Sequence, residues 1–177
     1  MKIRGFICFL FLILACGSQK KLSQTADNAV RNYLPSLKGV LIDQPSDQSL
    51  LEALNDKHNY YSNYNPSVLD TTSGATLKHI FSGENMHLFK EQLKNPVMWA
   101  EKTYITQTVI PAEDKNKYKN KTIYLISQPV ATKNRKYVLL RISFFNQHYM
   151  SGTDELLIFR KEMGKWSIYK RFELSLY

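Results

Sequence analysis

A few residues of this 177-residue chain have the types and spacing that chemistry requires. His87 and Glu91 stand four apart in a stretch of helical pattern, where two side chains share a face and can both reach a metal ion. No third ligand has an evident position. A surface hydrogen-bonding pair accounts for the two better, and neither a metal nor another cofactor is expected. Ser167-x-x-Lys170 has the spacing at which a lysine can activate a serine nucleophile, provided that both lie on one helical face. This stretch alternates like a strand, where positions three apart point to opposite faces, so no catalytic residue is assigned. Arg141, Tyr169, Arg171 and Glu173 fall on rows that can line one partly polar sheet face. There they would hold an anionic ligand, or neutralise one another as an Arg–Glu pair on a wet surface. His58, His79 and His148 are isolated in sequence. No Gly-x-Ser-x-Gly elbow, His-Glu-x-x-His pair or phosphate-cradling glycine loop occurs.

The remaining chemical group is the thiol of Cys16. Lys2 and Arg4 precede an apolar run, Phe6–Leu14, that is too short to span a bilayer comfortably and has the layout of an export signal. The run ends Ile13-Leu14-Ala15-Cys16, which resembles the lipobox of bacterial lipoproteins. That resemblance implies diacylglycerol on the Cys16 sulfur, cleavage before it, and acylation of the new amino terminus. It also implies a lipid-anchored protein of the cell envelope. Of the two cysteines, Cys8 leaves with the signal. Cys16 then stands alone, no intramolecular disulfide can form, and the exported part must rely on its core. Residues 1–15 thus read as a signal peptide, 16–27 as a polar tether, and 28–177 as one domain. The tether is basic at Lys20 and Lys21, whereas surface-export tags of similar lipoproteins are acidic. This points to the periplasmic side of the outer membrane of a Gram-negative bacterium.

Loss of Lys2 and Arg4 takes 24 basic residues to 22 against 15 acidic ones, so the formal charge of +9 becomes +7. Lys115, Lys117, Lys119 and Lys121 alternate with polar neighbours in what reads as a solubilising loop. An attraction to anionic lipid is the competing reading. Nucleic-acid binding is not expected, because no recognition module is present.

The element that must position any site is the stretch from Lys121 to Tyr177. Val138, Leu140, Ile142 and Phe144 form one apolar row, and Trp166, Ile168, Phe172, Leu174 and Leu176 another. Between them Glu155–Lys161 is apolar on both sides, as in a strand covered on both faces. Gly164 suits a tight hairpin between the last two strands. Trp166, leading its row, is expected to anchor the core. Upstream, helices are predicted over Asn28–Leu37, over Pro45–Lys57 and from Gly83 to Lys94 behind a Ser82 cap. A first strand is predicted over Thr103–Ile110, and a loop over Asn59–Pro66.

The run YLISQPVATKNRKYVLLRISFF, followed by LLIFRKEMGKWSIYKRFEL, is similar to a group of small uncharacterised bacterial lipoproteins. They share a strand ending in Ser-x-Pro, a polar turn, a long strand and a closing Gly-Lys-Trp hairpin. The resemblance covers the last third of the chain and implies no activity. Many of those proteins carry a cysteine-containing loop where this chain has Asn146–Gly152, without cysteine.

The expected fold is α+β, with about three N-terminal helices packed on one face of a curved antiparallel sheet of about five strands. The expected function is a non-enzymatic binding or interaction module, held at the membrane by lipid on Cys16 and contacting an envelope protein or an anionic ligand. The alternative is an envelope-associated hydrolase whose site has no sequence signature.

Overall fold

The computed structural model describes residues 19–43, 50, 54, 71–94, 98–146 and 151–176. The export signal, Cys16, the Asn59–Pro66 loop, His58 and the His148–Tyr149 loop tip lie outside them. So does the Pro45–Lys57 helix, apart from Leu50 and Leu54, which are helical and fully buried.

Residues 19–30 form a helix, α1. This corrects the expectation of a tether over 16–27 followed by helix from Asn28. Leu22, Ala26, Ala29 and Val30 recur at helical spacing and are all buried. The polar residues that suggested a linker, among them Lys20 and Lys21, occupy the exposed side of the same helix. Of the helix predicted over Asn28–Leu37, only residues 28–30 are α-helical, and Pro35 sits in a short 3-10 turn, Leu34–Ser36, where its missing N–H leaves no bond unmade.

The sheet has seven strands: β1 (Val40–Ile42), β2 (Thr108–Ile110), β3 (Thr122–Ile126), β4 (Val130–Ala131), β5 (Tyr137–Asn146), β6 (Ser151–Glu162) and β7 (Lys165–Leu176). Their spatial order is β2-β1-β3-β5-β6-β7, with β4 also paired to β5. The meander β3-β5-β6-β7 is antiparallel, as its alternating rows require. The fold is therefore α+β, but its sheet is mixed rather than antiparallel, because β1 runs parallel to both β2 and β3. Only the last three residues of the predicted Thr103–Ile110 strand join the sheet. The approach of β1 to β3 depends on Gly39, where a Cβ would lie 2.3 Å from the Thr122 carbonyl oxygen and 2.7 Å from the Tyr124 ring.

Among the described residues, two further helices with defined bounds precede β2. Helix α2 (Thr71–Ile80) has no counterpart in the sequence reading. Helix α3 (Gly83–Gln92) starts behind Ser82 as predicted, and the Ser82 hydroxyl accepts from the Asn85 N–H at 3.4 Å.

Helices cover both faces of the sheet, not one. On one face, the α1 stripe, Leu34 and Trp99 pack on Ile126, Val138, Leu140, Ile142, Leu157 and Phe159. On the other, Leu50, Leu54, Leu77, Ile80, Phe89 and Leu93 pack on Val130, Leu139, Leu156, Ile158 and Phe172. Trp99 is fully buried and donates its indole N–H to the Ile126 carbonyl at 3.1 Å. Trp166, expected as the anchor, is half-buried at the margin of the first cluster. No helix among the described residues is long and apolar enough to cross a membrane.

Candidate functional site

The centre of β5 and β6 carries the most deeply buried ion pair. Arg141 Nε donates to Asp154 Oδ1 at 2.8 Å, and its Nη2 donates to Oδ2 in a fork-to-fork pair. Ser143, directly opposite Asp154 in the ladder, donates its hydroxyl to Oδ1 at 3.0 Å. The Arg141 N–H in turn donates to Ser127 Oγ at 3.0 Å. Side-chain exposure is 3% for Asp154 and 16% for Arg141. Removing two charges from water to this degree is tolerable only because each carboxylate oxygen is bonded. Asp154, Leu156 and Ile158 have one parity on β6, so this carboxylate replaces an apolar side chain on a core-facing row.

A second cluster fastens α1 to the segment before β2. Lys102 Nζ lies 2.9 Å from both Asp27 oxygens, and the Tyr104 hydroxyl donates to Oδ1 at 3.2 Å. The Arg31 guanidinium sits 5.6 Å from the centre of the Tyr104 ring. Burial, together with the Asp27 carboxylate beside it, holds the Tyr104 hydroxyl well above the usual phenol range.

The quartet Arg141, Tyr169, Arg171 and Glu173 does not assemble. Arg141 points to the face of Leu139 and Leu156, and is satisfied there by Asp154. Tyr169 stacks beside Tyr137 with ring centres 6.0 Å apart, and Arg160 lies 4.4 Å from its ring centre. Arg171 is opposite Leu157 on the other face and reaches Glu155 at 3.2 Å. Glu173 is exposed and stands opposite Glu155. The cause is a register shift: Phe159 pairs with Ile168 and Ile158 with Lys170, so Tyr169 is an extra residue in β7. Strict alternation fails there.

The same bulge corrects the reading of Ser167 and Lys170. Their ladder partners, Arg160 and Ile158, share a parity, so both fall on one face. Ser167 is exposed, however, and the Lys170 ammonium lies 5.8 Å from the Tyr169 ring. Glu91 is bonded to Lys94 at 2.7 Å, which holds its carboxyl below the ordinary range, and His87 is exposed. No group of three metal-ligating side chains occurs among the described residues. The lysine-rich stretch forms 3-10 turns over Ala112–Tyr118 rather than a loop, with Lys117 paired to Asp114 at 2.7 Å.

A crevice too narrow to admit a water molecule lies between Leu34, Leu37, Leu41, Gln107, Tyr124 and Ile126. Gln107 donates to the Leu34 and Leu37 carbonyls, while its Oε1 is buried without a partner.

Sequence reasoning missed Asp154, Asp27, Lys102 and Tyr104 as interacting groups. A charge on a core-parity position was the signal for Asp154. The other three come together across 75 residues or more of chain, and nothing local marks them. No protein-family model, curated protein or solved structure matches the chain.

Proposed function

We propose that the chain is a lipid-anchored envelope protein whose folded part is a non-enzymatic binding or interaction module. On this reading it resides on the periplasmic side of the outer membrane of a Gram-negative bacterium. One observation carries the reading further than the sequence does. Residue 19 is already helical, and Leu22 lies in the core, so folded structure is present within three residues of Cys16. Three residues reach at most about 11 Å. A lipid on Cys16 would therefore hold the domain against the bilayer rather than let it range through the periplasm. The module reading is supported by the way the described charges are spent. Arg141 is bonded to Asp154, and Lys102 to Asp27, in contacts that hold strands and helix in place.

Substitution of Cys16 by Ser tests the anchor. The parent should incorporate a fatty-acid analogue and fractionate with membranes, and the variant should do neither. A variant that still takes the label would overturn the assignment. Capture of the tagged lipoprotein from its own envelope, followed by identification of what is retained, tests the module.

A further inference from the structure

We propose that one end of the sheet, built by the β6–β7 hairpin and the β4–β5 turn, is a docking surface for an anionic phospholipid bilayer. The proposal rests on the lipid-anchor reading and adds the orientation of the folded part.

The hairpin tip carries Met163, whose side chain is fully exposed, where a turn normally places a polar residue. Met163 and Gly164 both have positive φ, 47° and 80°, so the two-residue turn projects the methionine outward from the strands. Trp166 and Ile168 follow on β7, the former half-buried with Lys161 Nζ 5.9 Å from its ring centre. A thioether at the apex with an indole one turn behind matches an interface where the tip enters acyl chains and the indole sits among head groups.

The charge around this tip is net positive. The Lys161 N–H donates to the Lys136 carbonyl at 2.9 Å, which joins the hairpin to the β4–β5 turn. Arg135, Lys136, Lys161 and Lys165 are all exposed there. The acidic residues beside them, Glu84 and Glu162, are already engaged by Lys133 and Arg160.

The chain enters the domain at this same end. Gln92 clasps Ala131 through both backbone groups, at 2.8 and 2.9 Å, and Ala131 pairs with Val138 near the start of β5. The carbonyl of the adjacent Glu91 accepts from the Gln19 side chain at 3.3 Å. Gln19 begins the described part of α1, followed by exposed Lys20 and Lys21. Gln19 is three residues after Cys16, so a lipid on Cys16 and the basic turns can reach one bilayer together. The lysines of the 3-10 segment are at the other end. Lys121 precedes Thr122, which pairs with Asn146, at the far end of β5 from Tyr137 and about 30 Å away. That distance is several Debye lengths at physiological salt.

The test uses the full lipidated chain with Met163→Cys carrying a polarity-sensitive dye, and Lys119→Cys as the distal control. Reconstitution into phosphatidylcholine mixed with phosphatidylglycerol should shift the Met163-site emission to the blue, progressively less as salt is raised. The control dye should stay water-like. In phosphatidylcholine alone the shift should be small. Combined Arg135→Gln, Lys136→Gln, Lys161→Gln and Lys165→Gln should abolish the shift, and each charge removed should lower vesicle partitioning about fivefold. These positions are exposed, so folding is not at stake. A water-like dye at position 163 in a chain that carries the fatty-acid label would overturn the docking surface and leave the anchor standing. A chain without the label would overturn the anchor, and sedimentation of that chain with the two vesicle types then decides the surface. Salt-sensitive binding to the anionic vesicles alone supports it, and equal binding or none overturns it. A dye shift raised by nucleic acid or envelope protein, but not by anionic vesicles, would also overturn it.

Discussion

The meander β5–β7 and the parallel edge β2-β1-β3 are parts of one sheet built in opposite ways. In the meander, long strands pair with their sequence neighbours, and turns such as Met163-Gly164 set the register. At the edge, the three-residue β1 pairs with β2 across 68 residues of chain and with β3 across 83, and parallel pairing offers no hairpin to guide it. Local alternation specifies the first region. The second is specified by what covers it: Leu34 and Trp99 cluster with Leu41 on one face, and Ala112 and Tyr118 pack against Val40, Ile42 and Ile110 on the other. The two tryptophans follow this division. Trp166 leads an apolar row yet stays half-buried, because β7 is an outer strand of the sheet. Trp99 belongs to no row and is completely enclosed.

Replacing each tryptophan by alanine is the strongest way to break the comparison. Trp99→Ala removes a fully buried ring and orphans the Ile126 carbonyl, and should cost about 3–5 kcal/mol, enough to unfold a marginal domain. Trp166→Ala should cost about 1–2 kcal/mol, since only part of the ring leaves the core. Chemical denaturation of both variants measures the difference. Equal losses would mean that the hairpin contributes as much to the core as the segment under the edge.

The two arginine–carboxylate pairs sharpen the comparison within the meander itself. Asp154→Ala leaves Arg141 buried without its fork partner and should cost about 3 kcal/mol, comparable to the lower end for Trp99. Glu155→Ala removes the partner of Arg171, whose side chain is 52% exposed, and should cost well under 1 kcal/mol. Adjacent carboxylates on one strand would thus differ severalfold in effect because the arginine left behind is buried in one case and half exposed in the other. A loss of similar size for both would show that water reaches Asp154.

These contrasts also mark how far the sequence was legible. Strands β3, β5, β6 and β7, the Ser82 cap and the Gly164 turn follow from alternation, capping chemistry and positive φ, all of which act within a few residues. The rest was hidden for physical reasons. Helix α1 buries small alanines beside only two larger side chains, so its stripe is diluted by lysine, glutamine and threonine. Strand β1 has three residues, too few to show a period, and its position depends on Gly39 passing close to Thr122 and Tyr124. The bulge at Tyr169 has no local signature, so strict alternation puts the candidate quartet on one face when its members lie on two. Asp27, Lys102 and Tyr104 meet only after the whole chain has folded.

That last cluster yields a prediction that separates the α1 attachment from the meander. Tyr104 is neutral at ordinary pH and keeps its proton in the fold, because burial and the Asp27 carboxylate both oppose a phenolate there. An unfolded chain releases that proton near pH 10. Its folded value is raised, so its contribution is complete below about pH 10 and declines as pH rises from there towards the folded value. The slope due to this one group is at most about 1.4 kcal/mol per pH unit. Denaturant titrations at stepped alkaline pH should show that decline in the parent and a shallower one in Tyr104→Phe. Phenolate absorbance should place Tyr104, with the half-buried Tyr33 and Tyr124, in a late-ionising group. Identical slopes for parent and variant would mean that α1 releases Asp27 before the tyrosine titrates, so that the helix detaches while the meander remains paired.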